Sequence, residues 1–368
     1  MKLLLSLFFS ALFATTNCGK EGDPSPGPSR ALPGFKAADA TAVFNSFNTV
    51  FYDPGRKLYY STTDRNSLAA IWTQAIYWDI VMHAYERTGN AAYRKMIDDI
   101  YQGGYEEYDG YNWNNTVEWF IYDDMMWWVI ALARAHQITG NPVYLEKSKS
   151  GFERVWNGYD SVYGGMFWQF IHTSKHACIN YPTVIAAVRL YQITKDTSYL
   201  SKAKNVYAWS GEHLFNKSNG RVADHVNREG QHRGYEDYTY NQGTCIGAGV
   251  MLFKETGDSS YLADAILAAE YTKNVMSKGG LLPAEGDYNE QGVLKAIFAH
   301  YMFMLINEGE QKQYLPWIQH NATWAWRNRD KKRNIMYRNY GVPCPTGSIQ
   351  SYEASSGVAL LQLCPPVK

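Results

Sequence analysis

The 368-residue chain has the pattern of an all-α protein, an (α/α)6 barrel of six inner and six outer helices. Two observations predict it. Five segments share one motif: TGNAAYRKMI (88–97), TGNPVYLEKS (139–148), TKDTSYLSKA (194–203), TGDSSYLADA (256–265) and EGEQKQYLPW (308–317). Their tyrosines, Tyr93, Tyr144, Tyr199, Tyr261 and Tyr314, fall 51, 55, 62 and 53 residues apart. A recurrence of this size marks a repeated supersecondary unit. The second observation is that each tight turn divides a nearly all-apolar helix from a more polar one. Helices apolar on most sides must be enclosed by protein, whereas amphipathic ones can face water. Six enclosed helices ringed by six half-buried ones make a barrel; the open alternative is a solenoid of helix pairs. An unpaired outer helix at the start and an unpaired inner helix at the end favour closure, because the two complete one pair.

The N-terminus, MKLLLSLFFSALFATTNC, has the build of a secretory signal, with Lys2 as its charge and an apolar stretch over 3–14 too short for a permanent span. Residues 1–18 read as a lipoprotein-type signal with Cys18 as the lipidated residue; the alternative is simple cleavage and secretion. Residues 19–34, containing GKEGDPSPGPSR, form a Pro/Gly/Ser linker that cannot build a core. This arrangement predicts an exported protein at the bacterial cell envelope, surface or periplasm, touching a membrane only through its lipid.

The domain proper is expected over 35–368. Outer helices are expected near 36–50, 90–102, 142–156, 196–214, 259–277 and 311–326. Inner helices are expected near 68–87, 118–138, 178–193, 242–255, 291–306 and 352–363. T-G or an equivalent stop ends each inner helix, and Asn, Asp or Ser caps the outer helix that follows. The return connections 103–117, 157–177, 215–241, 278–290 and 327–351 are long and rich in Gly, Tyr, Trp and Asn. They collect at the N-terminal ends of the inner helices. Long ordered loops on a rigid scaffold carry function, so the ligand cleft belongs on that face.

Lys+Arg and Asp+Glu both number 35, giving zero formal net charge. A nucleic-acid partner would want a basic face, so that class is excluded. Aromatic residues make up 15% of the chain, with 12 Trp and 29 Tyr. Part of this is core, and the surplus suits the flat C–H faces of sugar rings. Beyond Cys18, four cysteines remain, an even count that permits disulfides in an exported protein. Cys344 and Cys364 are the expected pair, while Cys178 and Cys245 are expected as buried thiols. No Cys/His spacing suggests zinc, and no metal or cofactor is expected. A monomer is expected.

The most informative stretch is EWFIYDDMMWWVIA (118–131). Asp123 and Asp124 stand together with no Lys or Arg within four residues on either side. Their helical neighbours are Trp119, Phe120, Ile121, Met126, Trp127 and Trp128. An isolated carboxylate in apolar surroundings costs several kcal/mol or takes up a proton. Exposure would relieve the acids but would also expose the Met and Trp pairs. The alternatives are a capping role favoured by the helix dipole, or an ion pair with a distant Arg. The economical arrangement is a wet, aromatic-lined cleft into which both acids point. Carboxyls about 5 Å apart match retaining glycoside hydrolysis, whereas an inverting enzyme needs room for a water. Such neighbours cannot both ionise easily, so one keeps a proton near neutral pH.

Taken together, Tyr122-Asp123-Asp124 followed by a Trp pair, GGMFW (164–168), YTYNQG (238–243) and EGDYNEQG (285–292) resemble glycoside hydrolase family 76, the endo-α-1,6-mannanases. The resemblance extends from about residue 35 to 364. It implies a retaining endo-hydrolase of α-1,6-linked mannan, the backbone of yeast cell-wall mannan, with α-mannan polysaccharide or oligosaccharides as partner. It also implies Asp123 as nucleophile and Asp124 as acid/base, an order that spacing alone does not decide. A fungal branch of transglycosylases acting on cell-wall anchors is disfavoured by the bacterial-type signal.

Further substrate contacts are expected from the loops and helix mouths. Tyr122 belongs to the motif, Trp127 is expected to line the cleft, and Trp128 to pack. Trp168, after Gly164-Gly165, is expected as a stacking platform, with core filler as the alternative. Tyr240, Asn241 and Gln242 open the fourth inner helix, where amides can bind sugar hydroxyls; Asn241 could equally cap the helix. Asn180 and Tyr181 open the third. Asp237 and Asp287 are either sugar ligands or loop charges. His83, His136 and His300 are placed as structural, and Asp53 and Asp64 as loop charges. Two other functions stay open: another (α/α)6 glycan-active enzyme, or a non-catalytic glycan-binding surface lipoprotein. The first, on acidic glycans, wants clustered basic residues that the long loops lack outside 327–333. The second has no use for the acid pair.

Overall fold

The computed structural model describes residues 34–286 and 289–367; the signal, the linker up to residue 33, Cys18 and Asp287 lie outside the described residues. Outer helices α1 (Ala37–Phe51), α3 (Ala91–Glu107), α5 (Pro142–Trp156), α7 (Thr197–His213), α9 (Ser259–Tyr271) and α11 (Leu315–Arg327) alternate with inner helices. The inner set is α2 (Ile71–Thr88), α4 (Tyr122–Thr139), α6 (Ala177–Thr194), α8 (Thr239–Thr256), α10 (Leu294–Asn307) and α12 (Ser351–Leu363). Each inner helix packs on the next, and α12 returns to pack on α2, so the ring closes. Helix α1 packs on α12, completing the sixth pair from the two chain ends. This is the (α/α)6 barrel the sequence predicts.

The repeated motif explains the turns. Gly89, Gly140 and Gly257 end α2, α4 and α8 in the left-handed conformation, which glycine adopts without Cβ strain. Asn90, Asn141, Asp196 and Asp258 then cap the following helices by accepting the amide two residues on. The recurring tyrosines pin each outer helix to the one before it. Tyr93 donates to Asn45 of α1 at 2.7 Å, Tyr144 to Asp98 of α3 at 2.5 Å, and Tyr314 to Glu270 of α9 at 2.6 Å. Tyr199 packs edge-on against Phe152 of α5, and Tyr261 against Tyr207 of α7. Tyr93, Tyr144, Tyr199 and Tyr314 are buried, each ring contributing about 2 kcal/mol, and Tyr261 is half-buried.

Extended structure is confined to the loop face. Strands β1 (Tyr52–Asp53) and β2 (Leu58–Tyr59) pair antiparallel, as do β3 (Ser174–His176) and β4 (His225–Asn227). The second pair joins two different return loops. No helix among the described residues is long and apolar enough to cross a membrane.

The expected disulfide is corrected: Cys178, Cys245, Cys344 and Cys364 are all free, buried thiols. The Cys344 sulfur turns towards the Met336 carbonyl at 3.7 Å, and Cys364 ends α12 beside the Pro365 carbonyl. Shared membership of a C-terminal segment did not bring the two sulfurs together.

Candidate active site

The N-terminal ends of the inner helices converge on a cleft of about 450 Å³. Asp123, Asp124 and Trp127 of α4 line it, together with Trp72 of α2 and Tyr240 of α8. The loops add Trp168, His176, Asp224, Glu290 and Gln291. Four carboxylates and no Lys or Arg stand among these lining residues.

Asp123 and Asp124 occupy the first turn of α4, whose N-cap, Ile121, offers no side-chain acceptor. The unpaired amides of a helix start favour negative charge there. Burial nevertheless dominates. It raises the Asp123 carboxyl to about 7, against the opposing pull of Cys178, Trp168 and the first-turn amides. Asp123 Oδ1 is buried and accepts no hydrogen bond from the described residues. Asp124 is pushed well above the ordinary carboxylate range by burial, then by the charge of Asp123, then by Glu290. The pair therefore holds a proton at neutral pH, and that proton belongs on Asp124.

The aromatic walls are held by backbone pairing. Trp168 is pinned on both sides of its main chain: its amide donates to Ser174 and its carbonyl accepts from Tyr122. The indole lies 4.8 Å from the His176 ring. The preceding Gly164 and Gly165 have positive φ and lie against Trp209, whose ring would meet an added Cβ at 2.7 and 2.6 Å. No larger residue would let this loop close. Trp127 faces Tyr240 at 6.4 Å and Trp72 at 6.1 Å. Trp128 packs away from the cleft, donating to the Ile71 carbonyl at 2.9 Å.

Residues 36–359 match the glycosyl hydrolase family 76 profile. The chain belongs to family 76. A family 76 α-1,6-mannanase from Salegentibacter sp. HEL1_6 superimposes with a TM-score of 0.81 at 27% identity, covering 89% of this chain and 98% of that one. The same enzyme is known as an inactive variant, with two consecutive aspartates changed to asparagine, in complex with α-1,6-mannotriose; it superimposes with a TM-score of 0.80 at 26% identity over the same shares. A Listeria innocua protein matches with a TM-score of 0.81 at 26% identity, covering 89% of this chain and 97% of that one. No curated protein matches at a significant level.

Within this family 76 barrel, several expected sugar contacts are corrected. Asn180 is fully buried and brackets Met166, accepting its amide at 2.8 Å and donating to its carbonyl at 3.1 Å. Gln242 does the same for the next loop, accepting from the Val222 amide and donating to the Gly220 and Ala268 carbonyls. Asp237 pairs with Arg221 at 2.8 Å and accepts from Tyr271, outside the cleft lining. The Tyr122 ring packs against Phe170 at 4.7 Å, beneath Arg154, and does not line the cleft. Asn241 is buried too, but it donates to Asp224 at 2.9 Å and so orients a lining carboxylate.

Trp72, His176, Asp224, Tyr238, Glu290 and Gln291 were missed by sequence reasoning. Burial lowers the His176 pKa to about 4, with Asp224 opposing, so its imidazole is neutral. Strand pairing of β3 with β4 brings His176 and His225 around Asp224, and that pairing left no periodic signal. Glu290 lies inside the EGDYNEQG segment, three residues beyond Asp287, and nothing in its sequence surroundings sets it apart. Among the described residues, two clusters could geometrically hold a metal ion, Asp79/His83/His300 and His176/Asp224/His225. In the first, Arg134 already pairs with Asp79. In the second, both Asp224 oxygens already have partners in Asn241 and His225.

Proposed function

We propose that this family 76 glycoside hydrolase is a retaining endo-α-1,6-mannanase, exported and held at the bacterial cell envelope by lipid on Cys18. The observation that carries the chemistry is the half-buried Asp123–Asp124 pair in an aromatic cleft with no Lys or Arg among its described lining residues. The similarity to an α-1,6-mannanase whose paired-aspartate variant binds α-1,6-mannotriose supports the same linkage here. A cleft lined by carboxylates also argues against acidic glycans, whose charge would be repelled.

In this reading Asp123 attacks the anomeric carbon from the face opposite the leaving oxygen, and its carboxylate forms a glycosyl ester. The C–O bond to the leaving sugar breaks as Asp124 gives its proton to that oxygen. Asp124, now ionised, takes a proton from water; the water attacks the same carbon and releases Asp123. Two inversions restore the α configuration. The proton held on Asp124 is ready to transfer, and Asp123 beside it lines the same cleft.

The deciding experiment is product analysis on debranched yeast mannan beside α-1,2- and α-1,3-linked mannans. A ladder of α-anomeric oligomannosides from the first substrate alone is expected. Mannose as the sole early product would remove the endo assignment, and turnover only of the other linkages would remove the substrate.

A further inference from the structure

The barrel axis does not end at the catalytic cleft. Beneath Trp127 lies a small void of about 20 Å³, reached on its far side by Asp79, His83 and His300. Below those histidines a second pocket of about 310 Å³ opens at the C-terminal ends of the inner helices. Its walls include His83, Glu86, Arg134, Arg189, His300 and Glu308.

The two arginines differ in their partners. Arg134 pairs with two carboxylates, Asp79 and Glu86, so that cluster keeps one negative charge. Arg189 is only 7% exposed, yet no carboxylate among the described residues pairs with it. Its one hydrogen bond there runs from Nη1 to Gln137 Oε1 at 2.6 Å, and Nε is buried without an acceptor. A buried charge with no carboxylate in direct contact is costly, and Arg cannot discharge it by losing a proton; Asp79 and Glu308 act on it only from a distance. Burial, then the nearby Arg134 charge, lower the pKa of this guanidinium, while Tyr301, Asp79 and Glu308 oppose the shift. His83 and His300 also have lowered pKa values, chiefly through burial, so they add no charge near neutral pH. Glu86 is already engaged with Arg134, and Glu308 is exposed on the rim without forming an ion pair with Arg189.

We infer that this lower pocket is an anion site, in which Arg189 takes a small oxyanion of the carboxylate or phosphate class through its planar fork. The carbonyl ends of the surrounding helices oppose an anion, so binding is weak and depends on the guanidinium. The site is separate from the cleft and from the mannanase reading.

Thermal unfolding of the full chain tests it, with chloride exchanged for acetate or inorganic phosphate at constant ionic strength. Wild type should gain a saturable rise in Tm, as expected of a ligand that binds only the folded state. Comparing the acetate and phosphate arms tells which oxyanion is preferred. Arg189→Met should lose the rise, Arg189→Lys should keep a weaker one, and Glu308→Gln should keep or strengthen it. No rise in wild type, or an equal rise in Arg189→Met, would overturn the site. So would a rise appearing only in Glu308→Gln, because Glu308 would then be the counter-ion. Should Arg189→Met not fold, phosphorus NMR line broadening of phosphate on wild type, reversed by acetate, reads the same site. Absence of broadening at phosphate concentrations that raise Tm overturns it equally.

Discussion

Lys175 Nζ meets Asp160 Oδ2 at 2.9 Å, with both residues buried in the loop layer above the barrel. The other oxygen of Asp160 accepts the amides of Val162 and Tyr163. One carboxylate thus ties the turn before Gly164-Gly165 to strand β3, which leads into His176. The Lys175 ammonium also lies over the Phe167 and Trp209 rings, at 5.0 and 5.3 Å. The pair sets the frame in which Trp168 and His176 stand.

Removing one partner of such a pair should therefore cost more than removing both. Lys175→Met leaves Asp160 buried and unpaired, and should lower unfolding stability by about 3 kcal/mol in urea. Asp160→Asn combined with Lys175→Met should recover part of that loss. KM for oligomannosides should rise in the single variant, because Trp168 loses its support. A Lys175→Met midpoint equal to wild type would show that the pair holds nothing.

The roles of the acid pair are separable by azide. With an activated aryl α-mannoside, Asp124→Ala should still form the glycosyl ester on Asp123, and azide should then release an α-mannosyl azide. Asp123→Ala lacks the nucleophile, so azide must attack directly and give the β-azide. Both variants should lose at least about a thousandfold in kcat on mannan. Exchanged azide stereochemistry between the variants would exchange the two assignments.

Burial of two acids at one helix start also trades stability for chemistry. A carboxyl whose folded pKa is raised contributes its stability in full below its unfolded value, and loses it as pH rises through the folded value. Asp123 rises to about 7 and Asp124 moves well above the ordinary range, so the loss sets in above about pH 4 and for Asp123 runs through about pH 7. Asp124→Asn should therefore be more stable than wild type at pH 8, by about 1–3 kcal/mol. The gain should shrink toward pH 4. An equal or lower Tm for Asp124→Asn at pH 8 would contradict the burial that the mechanism uses.

The barrel and the acids were legible because both leave local marks. A helix stop, a cap and a tyrosine recur together, and two carboxylates stand in an apolar run where no cation can relieve them. The amides were half legible. The ability of Asn180 and Gln242 to donate and accept at once is used in full, but on the main chains of Met166 and of Val222 and Gly220 rather than on sugar. Gln74 does likewise for Tyr59, and Asn321 for Leu282 and Gly280. A loop that lacks regular structure must find partners for its buried amides, and helix side chains near it supply them. Asp224, His176 and Glu290 were illegible because strand pairing and loop closure, not sequence neighbours, bring them to the cleft.

Glu290 offers the sharpest test of how the proton is kept on Asp124. It lines the same cleft, and its charge is one of the causes raising the Asp124 carboxyl, after burial and Asp123. In the free enzyme kcat/KM should fall below about pH 7 as Asp123 takes a proton. It should fall again at higher pH as Asp124 loses one, the two limbs belonging to the coupled pair. Glu290→Gln keeps the shape and removes the charge, so ionising Asp124 becomes easier. The alkaline limb should move to lower pH, while the acid limb, governed by Asp123, moves less. Asp224→Asn serves as the control. Asp224 lines the cleft as well but is paired with His225 and is not among the causes of the Asp124 shift, so its removal should affect KM more than the alkaline limb. An alkaline limb unmoved in Glu290→Gln, or moved equally in both variants, would mean that burial and Asp123 alone hold the proton.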